Sequence, residues 1–257
     1  MNCSLLEEEL LDAEKYSFDE NNGLPVISHR NVVLAEAMIA NDSDYIQAGD
    51  TDAKPLGKYK GSTAYWMTEL KKDLNRNSQR LKETILNAVL AVDRENSTHI
   101  AADSLGPEVL TDRIYSKRHS LIEILKERKK GFEFIQVLSQ KTFDNALVKE
   151  EKTYYPRENY SFATKFCHYA CLYFFNNDTE REYRDNYSIY DNVVAKALPD
   201  YLKGYGIKKS NGKNYSKTDF VRAESYELFS NLIDQLRGNI VSRNGFDHLL
   251  WYYHKAR

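Results

Sequence analysis

A lysine, an aspartate and an aspartate-tryptophan pair are the groups in this chain whose types and surroundings could do chemistry. Lys165 is the only formal charge in the sixteen-residue run from Tyr160 to Phe175, which otherwise reads as a buried helix. Burying an ammonium is costly unless it is paired, and the usual escape is a lowered pKa, which leaves a free amine able to act as nucleophile or base. A snorkelling side chain, stem packed and head in water, is the other reading of the same residue. Asp191 sits where the apolar segment Tyr187-Ser-Ile-Tyr turns into a helical pattern. A carboxylate there caps a helix N-terminus, a role that does not exclude catalysis. Asp247 and Trp251 stand one helical turn apart, placing a polar group beside a large aromatic plane. Their structural reading is a helix cap after Gly245 and a core tryptophan.

Taken together, Lys165 followed four residues later by Tyr169, the Ile-Tyr-Asp191 turn, and Phe-Asp247-His-Leu-Leu-Trp251 resemble the archaeal 8-oxoguanine DNA glycosylase group of the helix-hairpin-helix glycosylase superfamily. Bacterial stand-alone proteins of the same 8-oxoguanine glycosylase fold are similar as well. The resemblance covers roughly residues 60 to 257 and is strongest over 160–198 and 243–253. It implies an all-α fold with two helical subdomains flanking a cleft for DNA and a flipped base, and cleavage of an N-glycosidic bond. In the family pattern Lys165 matches the lysine that displaces the base and forms a Schiff base, with strand cleavage by β-elimination as a further step. Asp191 matches the aspartate that stabilises oxocarbenium-like charge on the sugar and assists proton transfer. Tyr169, Asp247 and Trp251 match the lining of the base pocket, where an aromatic face stacks and a carboxylate accepts from ring N–H groups. His168 and Trp66 are further candidates for that pocket, each with core packing as its alternative. The implied partner is double-stranded DNA carrying a modified base, and no cofactor or metal is implied.

Reaching the sugar of a paired nucleotide requires extruding the base, so DNA must be gripped nearby. The stretch Lys203 to Lys217 holds five lysines and no acid, with glycines and Tyr205 and Tyr215 interleaved. It reads as a flexible loop whose Lys208, Lys209 and Lys213 could contact phosphates, as cations on phosphates release counterions. Its bland reading is a solvated surface loop. The segment before Lys165, Lys152 to Tyr160, departs from the wider superfamily: it lacks the glycine-rich hairpin that grips the backbone there. Arg157, Ser161 and Thr164 are the substitute candidates.

The elements that must position these groups read mainly as helices. At 257 residues, 42% hydrophobic and 29% charged, the chain can bury a sizeable core. Helices are expected over 5–16, 29–40, 63–75, 78–92, 160–175, 188–203, 216–237 and 243–257, with two or more over 107–140, the clearest being 120–130, polar chain over 41–61 and a loop or brief strand over 141–156. An N-terminal helical extension over 1–60 and a glycosylase-like domain over 61–257 are the expected divisions. The net charge of −2 announces no nucleic-acid ligand, so any DNA contact is local. No apolar run suits a membrane span and no signal-peptide layout opens the chain, so a soluble monomer of the cytoplasm, associated with the nucleoid, is expected. Cys3, Cys167 and Cys171 read as thiols, and with no CxxC pair or partner cluster they carry no metal site. Two other functions remain open: a silent binder of modified DNA on the same fold, and a helical module that meets another protein.

Overall fold

A computed structural model of the chain describes residues 16–41, 60–100, 105–144, 147–149, 152–154, 156 and 158–255. The helix expected over 5–16, nearly all of the polar stretch expected over 41–61, Cys3 and Arg157 lie outside the described residues. The described chain is mostly helical. Its helices are α1 (His29–Asn41), α2 (Thr63–Arg76), α3 (Leu81–Asn96), α4 (Gly106–Ser116), α5 (Leu121–Lys126), α6 (Arg128–Ser139), α7 (Tyr160–Phe174), α8 (Asn192–Gly204), α9 (Tyr226–Arg237) and α10 (Arg243–Lys255). Between α6 and α7 the brief strand expected from the sequence is an antiparallel pair, β1 (Leu147–Lys149) with β2 (Lys152–Tyr154), in which Val148 faces Thr153.

The polypeptide divides into two compact units. The first holds described residues 16–41, 191–221 and 227–255; the second holds 60–190 and 222–226. The described part of the N-terminal segment belongs with the C-terminal helices, where α1 and α8 each pack on α10.

In the second unit α7 is the central helix, with α2, α3, α5 and α6 packed around it. Its sequence explains why. Phe162, Phe166, Cys167, Ala170, Cys171 and Phe174 are all 0–1% exposed, so the apolar surface extends round most of the helix, as expected of one buried on several sides. Each buried phenylalanine stabilises the unit by roughly 2–3 kcal/mol.

Two expected helices are corrected. The single helix over 120–130 is broken at Glu127, whose backbone is extended (φ −94, ψ 104), leaving α5 and α6. A helix can stop there because its orphaned carbonyls find partners far downstream. The Asn186 amide donates to the carbonyls of Leu125 and Lys126 at 3.0 and 3.1 Å, and the Tyr187 hydroxyl donates to that of Leu125 at 3.0 Å. The helix over 216–237 begins only at Tyr226. Before it lie two single 3₁₀ turns, Lys217–Asp219 and Ala223–Ser225, the first closed by a reciprocal capping box between Ser216 and Asp219.

Candidate functional site

Asn96, the last residue of α3, organises the surroundings of Lys165. Lys165 is 8% exposed, and its Nζ donates to the Asn96 carbonyl at 3.2 Å. One turn along α7, the Tyr169 hydroxyl donates to Asn96 Oδ1 at 2.8 Å. The Asn96 amide in turn donates to the Val92 carbonyl at 3.0 Å, which fixes the side chain. The end of α3 thus receives both an amine and a phenol from one face of α7. A helix C-terminus carries partial negative charge and favours a cation, so the burial of Lys165 is compensated at this carbonyl. Since a carbonyl only accepts, the contact fixes the position of Nζ whether the group is an amine or an ammonium. Lys165 does not snorkel.

The residues just beyond Asn96 are conformationally unusual. Ser97 (φ 50) and His99 (φ 59) both occupy the left-handed region without being glycine. The chain thereby leaves α3 sharply while the Ile100 N–H donates to Asp93 Oδ1 at 2.8 Å.

His168 is tied into the core. It is 1% exposed, and its Nδ1 lies 2.8 Å from the Tyr187 carbonyl, so Nδ1 carries the hydrogen. This is the core-packing alternative given for His168, with one ring nitrogen bonded inside the unit. Trp66, on α2 of the same unit, is half-buried and meets Tyr65 edge-on at 5.0 Å. Ser161 is half-buried in the first turn of α7. Thr164, the residue before Lys165, accepts from the Tyr190 N–H at 3.0 Å. That bond pins to α7 the chain leading into Asp191.

Asp191 opens the second segment of the first unit, where it caps α8 as the sequence indicates. Its backbone is extended (φ −141, ψ −179), and Oδ1 accepts from the N–H groups of Val193 and Val194 at 2.8 and 2.9 Å. Asp247 and Trp251 lie on α10, also in the first unit, and both are half-buried. Asp247 is no cap. The helix starts earlier, at Arg243, with the Ser242 hydroxyl accepting from the Gly245 N–H at 2.9 Å, so Asp247 stands in the second turn.

The lysine-bearing stretch of the first unit is bonded into place, contrary to the expectation of a flexible loop. The Lys209 N–H donates to the Lys213 carbonyl at 2.9 Å, and the Gly212 N–H to that of Lys209 at 2.8 Å. Lys209 Nζ pairs with Asp219 at 2.7 Å and lies 5.7 Å from the Tyr215 ring, while Lys217 donates to Asn192 Oδ1 at 2.7 Å. Lys208 and Lys213 are exposed.

Cys167 and Cys171 are buried thiols, and burial pushes both up from the usual thiol range. Among the described residues no group of three His, Cys, Asp or Glu side chains could hold a metal ion.

Reading the sequence singled out Lys165 and Tyr169 but missed Asn96, which joins them. The local signal was slight: an asparagine at the polar end of a helical pattern. In comparison with known proteins, no family model matches the chain, and no curated protein or solved structure matches it.

Proposed function

We propose that the protein is a lysine-dependent DNA glycosylase with an 8-oxoguanine-glycosylase-like helical fold. It flips an oxidised or otherwise modified base out of duplex DNA and cleaves the N-glycosidic bond, with strand cleavage at the resulting site as a second activity. The observation that supports this reading is the buried amine: Lys165 is the only formal charge on α7 and is held by the Asn96 carbonyl beside the Tyr169 hydroxyl. In this reading the Lys165 amine attacks C1′ and the base departs with the bonding electrons and a proton; the nitrogen gives up a proton, and its lone pair then expels O4′, which takes a proton as the C1′–O4′ bond breaks and leaves the Schiff base. Asp191 stabilises positive charge on the sugar and accepts a proton, its oxygen oriented by the cap of α8. By the resemblance Tyr169 has the role of an aromatic face for the extruded base, Asp247 that of an acceptor for ring N–H groups and Trp251 that of a stacking plane, while Lys208 and Lys213 meet the backbone phosphates.

Borohydride reduction in the presence of duplexes bearing a panel of modified bases tests the reading. Wild-type protein is expected to give a covalent protein–DNA adduct that Lys165→Ala, still folded by circular dichroism, does not form. The Asn96 contact favours a second reading, in which Lys165 serves as the cation at the end of α3 and the pocket binds modified DNA without cutting it. In that case no adduct forms with any duplex, and modification-selective binding survives Lys165→Ala.

A further inference from the structure

The second unit also contains a cleft of about 600 Å³, lined by none of the residues proposed above for base release or DNA contact. Its walls come from α2, the turn between α4 and α5, α5 itself, and the chain after α7. Three cations line it, Lys71, Arg118 and Lys126, together with His119 and two carboxylates, Glu123 and Glu180. Asn75, Asn77 and Asn177 add side-chain amides. No Phe, Tyr or Trp ring is among the described residues lining it.

Glu180 is the key to the charge arrangement. Its carboxylate is shared between two ammonium groups, Lys71 at 3.2 Å and Lys126 at 3.1 Å, and also accepts from the Asn177 amide at 3.0 Å. Glu180 therefore sits where two cations converge, and Lys126 also meets the Glu123 carboxylate at 3.6 Å. Lys71 also donates to the Phe174 carbonyl at the end of α7, and both lysines lie over the Phe175 ring at 5.8 and 5.9 Å. These contacts hold the two ammonium groups in place independently of Glu180. Arg118 is poised similarly. Its guanidinium is stacked over the Tyr115 ring at 4.4 Å and gives one N–H to the Tyr115 carbonyl at 3.2 Å, from a fork that carries five donors.

Preplaced cations, a donor excess and amides in a concave site match a phosphate, whose oxygens accept several charge-assisted bonds at once. With the small imidazole of His119 as its one aromatic plane among the described lining residues, the cleft offers little to a nucleobase, whereas asparagine amides suit hydroxyls. We propose that this cleft binds the phosphate of a sugar phosphate, with Lys126, Lys71 and Arg118 on the phosphate, the asparagines on the sugar, and Glu180 as the internal group the phosphate displaces. The sugar phosphate is either a free small molecule or a unit of a nucleic-acid backbone. The site does not depend on Lys165 or on the glycosylase reading.

Titration of the full chain with ribose 5-phosphate, inorganic phosphate and an unmodified DNA duplex, followed by calorimetry and amide chemical shifts, tests the proposal. Arg118→Gln is expected to weaken binding about tenfold, the scale of one charge-assisted bond removed. Glu180→Gln is expected to tighten it by a similar factor, an opposite sign that partial unfolding could not produce. If ribose 5-phosphate shows these effects and the duplex does not, the ligand is free in solution; the reverse pattern assigns the backbone. The proposal is overturned if no probe binds, if binding is indifferent to both substitutions, or if Glu180→Gln weakens it. The borohydride experiment is blind to all of these outcomes, so either idea can fail without the other.

Discussion

At the scale of single residues, the cap that Asp191 forms and the catalytic role proposed for it can be separated chemically. Its Oδ1 accepts from two backbone N–H groups at the start of α8. Asparagine offers the same acceptor and is an equally good cap, whereas alanine offers none. Asp191→Ala is therefore expected to cost about 1 kcal/mol in denaturant unfolding. Asp191→Asn should keep nearly all of the stability and lose base release if the carboxylate acts in the reaction. Thermal melts paired with a glycosylase assay read both. A fully active Asp191→Asn would confine the residue to its structural role. Lys165 is the converse case, because its type announced chemistry while its surroundings supply a structural partner as well. Removing the amine tests both: the borohydride adduct should vanish, and the Tyr169 to Asn96 bond should persist.

At the scale of elements, close approach explains the sequence at Gly131 on α6. A Cβ built there would overlap the Tyr187 hydroxyl. That ring, 0% exposed, closes the end of α5 by donating to the Ile124 and Leu125 carbonyls at 3.3 and 3.0 Å. Gly131→Ala must displace it, and the expected loss is about 1–3 kcal/mol by overpacking, measured by urea unfolding. The bonded stretch around Lys209 gives a pH dependence. Burial raises the Asp219 carboxyl, but the Lys209 ammonium and the bonds from Ser216 outweigh it and hold the group below its ordinary 3.8. A carboxylate depressed in the fold contributes stability that is complete above its unfolded value and is lost as pH falls through its folded value. Amide protection at Lys209 and Gly212, exchange measured relative to the unstructured chain at the same pH, is thus expected to be full near neutrality and to fall below about pH 3.8, by more than in Asp219→Asn, where the ionisable group is missing.

For the whole molecule, a net charge of −2 supplies no general attraction for a polyanion. Duplex binding, if the glycosylase reading holds, depends on local cations, and a salt titration counts them. Lys208 and Lys213 are exposed, while Lys209 and Lys217 are engaged by Asp219 and Asn192. Replacing Lys208 and Lys213 together by glutamate is expected to weaken duplex binding and to lower the slope of log affinity against log salt by about 2, near 0.9 for each phosphate no longer neutralised. An unchanged slope would place the DNA elsewhere on the molecule. Among the described residues no helix is long and apolar enough to cross a membrane.

The sequence by itself determined what is set within a few residues. The unbroken apolar character of 160–175 specified α7 as a buried helix, because burial on several sides requires apolar groups all round. Asp191 before a helical pattern specified a cap, since cap and capped N–H groups are two and three residues apart. Trp66 and Leu70 at one-turn spacing placed α2 close to its true limits. Only the tertiary structure decided what depends on distant chain. The partner of Lys165 is a carbonyl 69 residues away, and nothing in the apolar pattern of α3 marks its last residue as that partner. The break at Glu127 follows from Asn186 and Tyr187 taking the carbonyls of α5, some sixty residues upstream, and the local pattern over 120–130 fits one helix as well as two. The pairing of α1 with α10 is likewise a contact between the two ends of the described chain. Periodicity encodes which face of a segment is apolar; which distant surface covers that face is settled only when all the elements compete to bury their own.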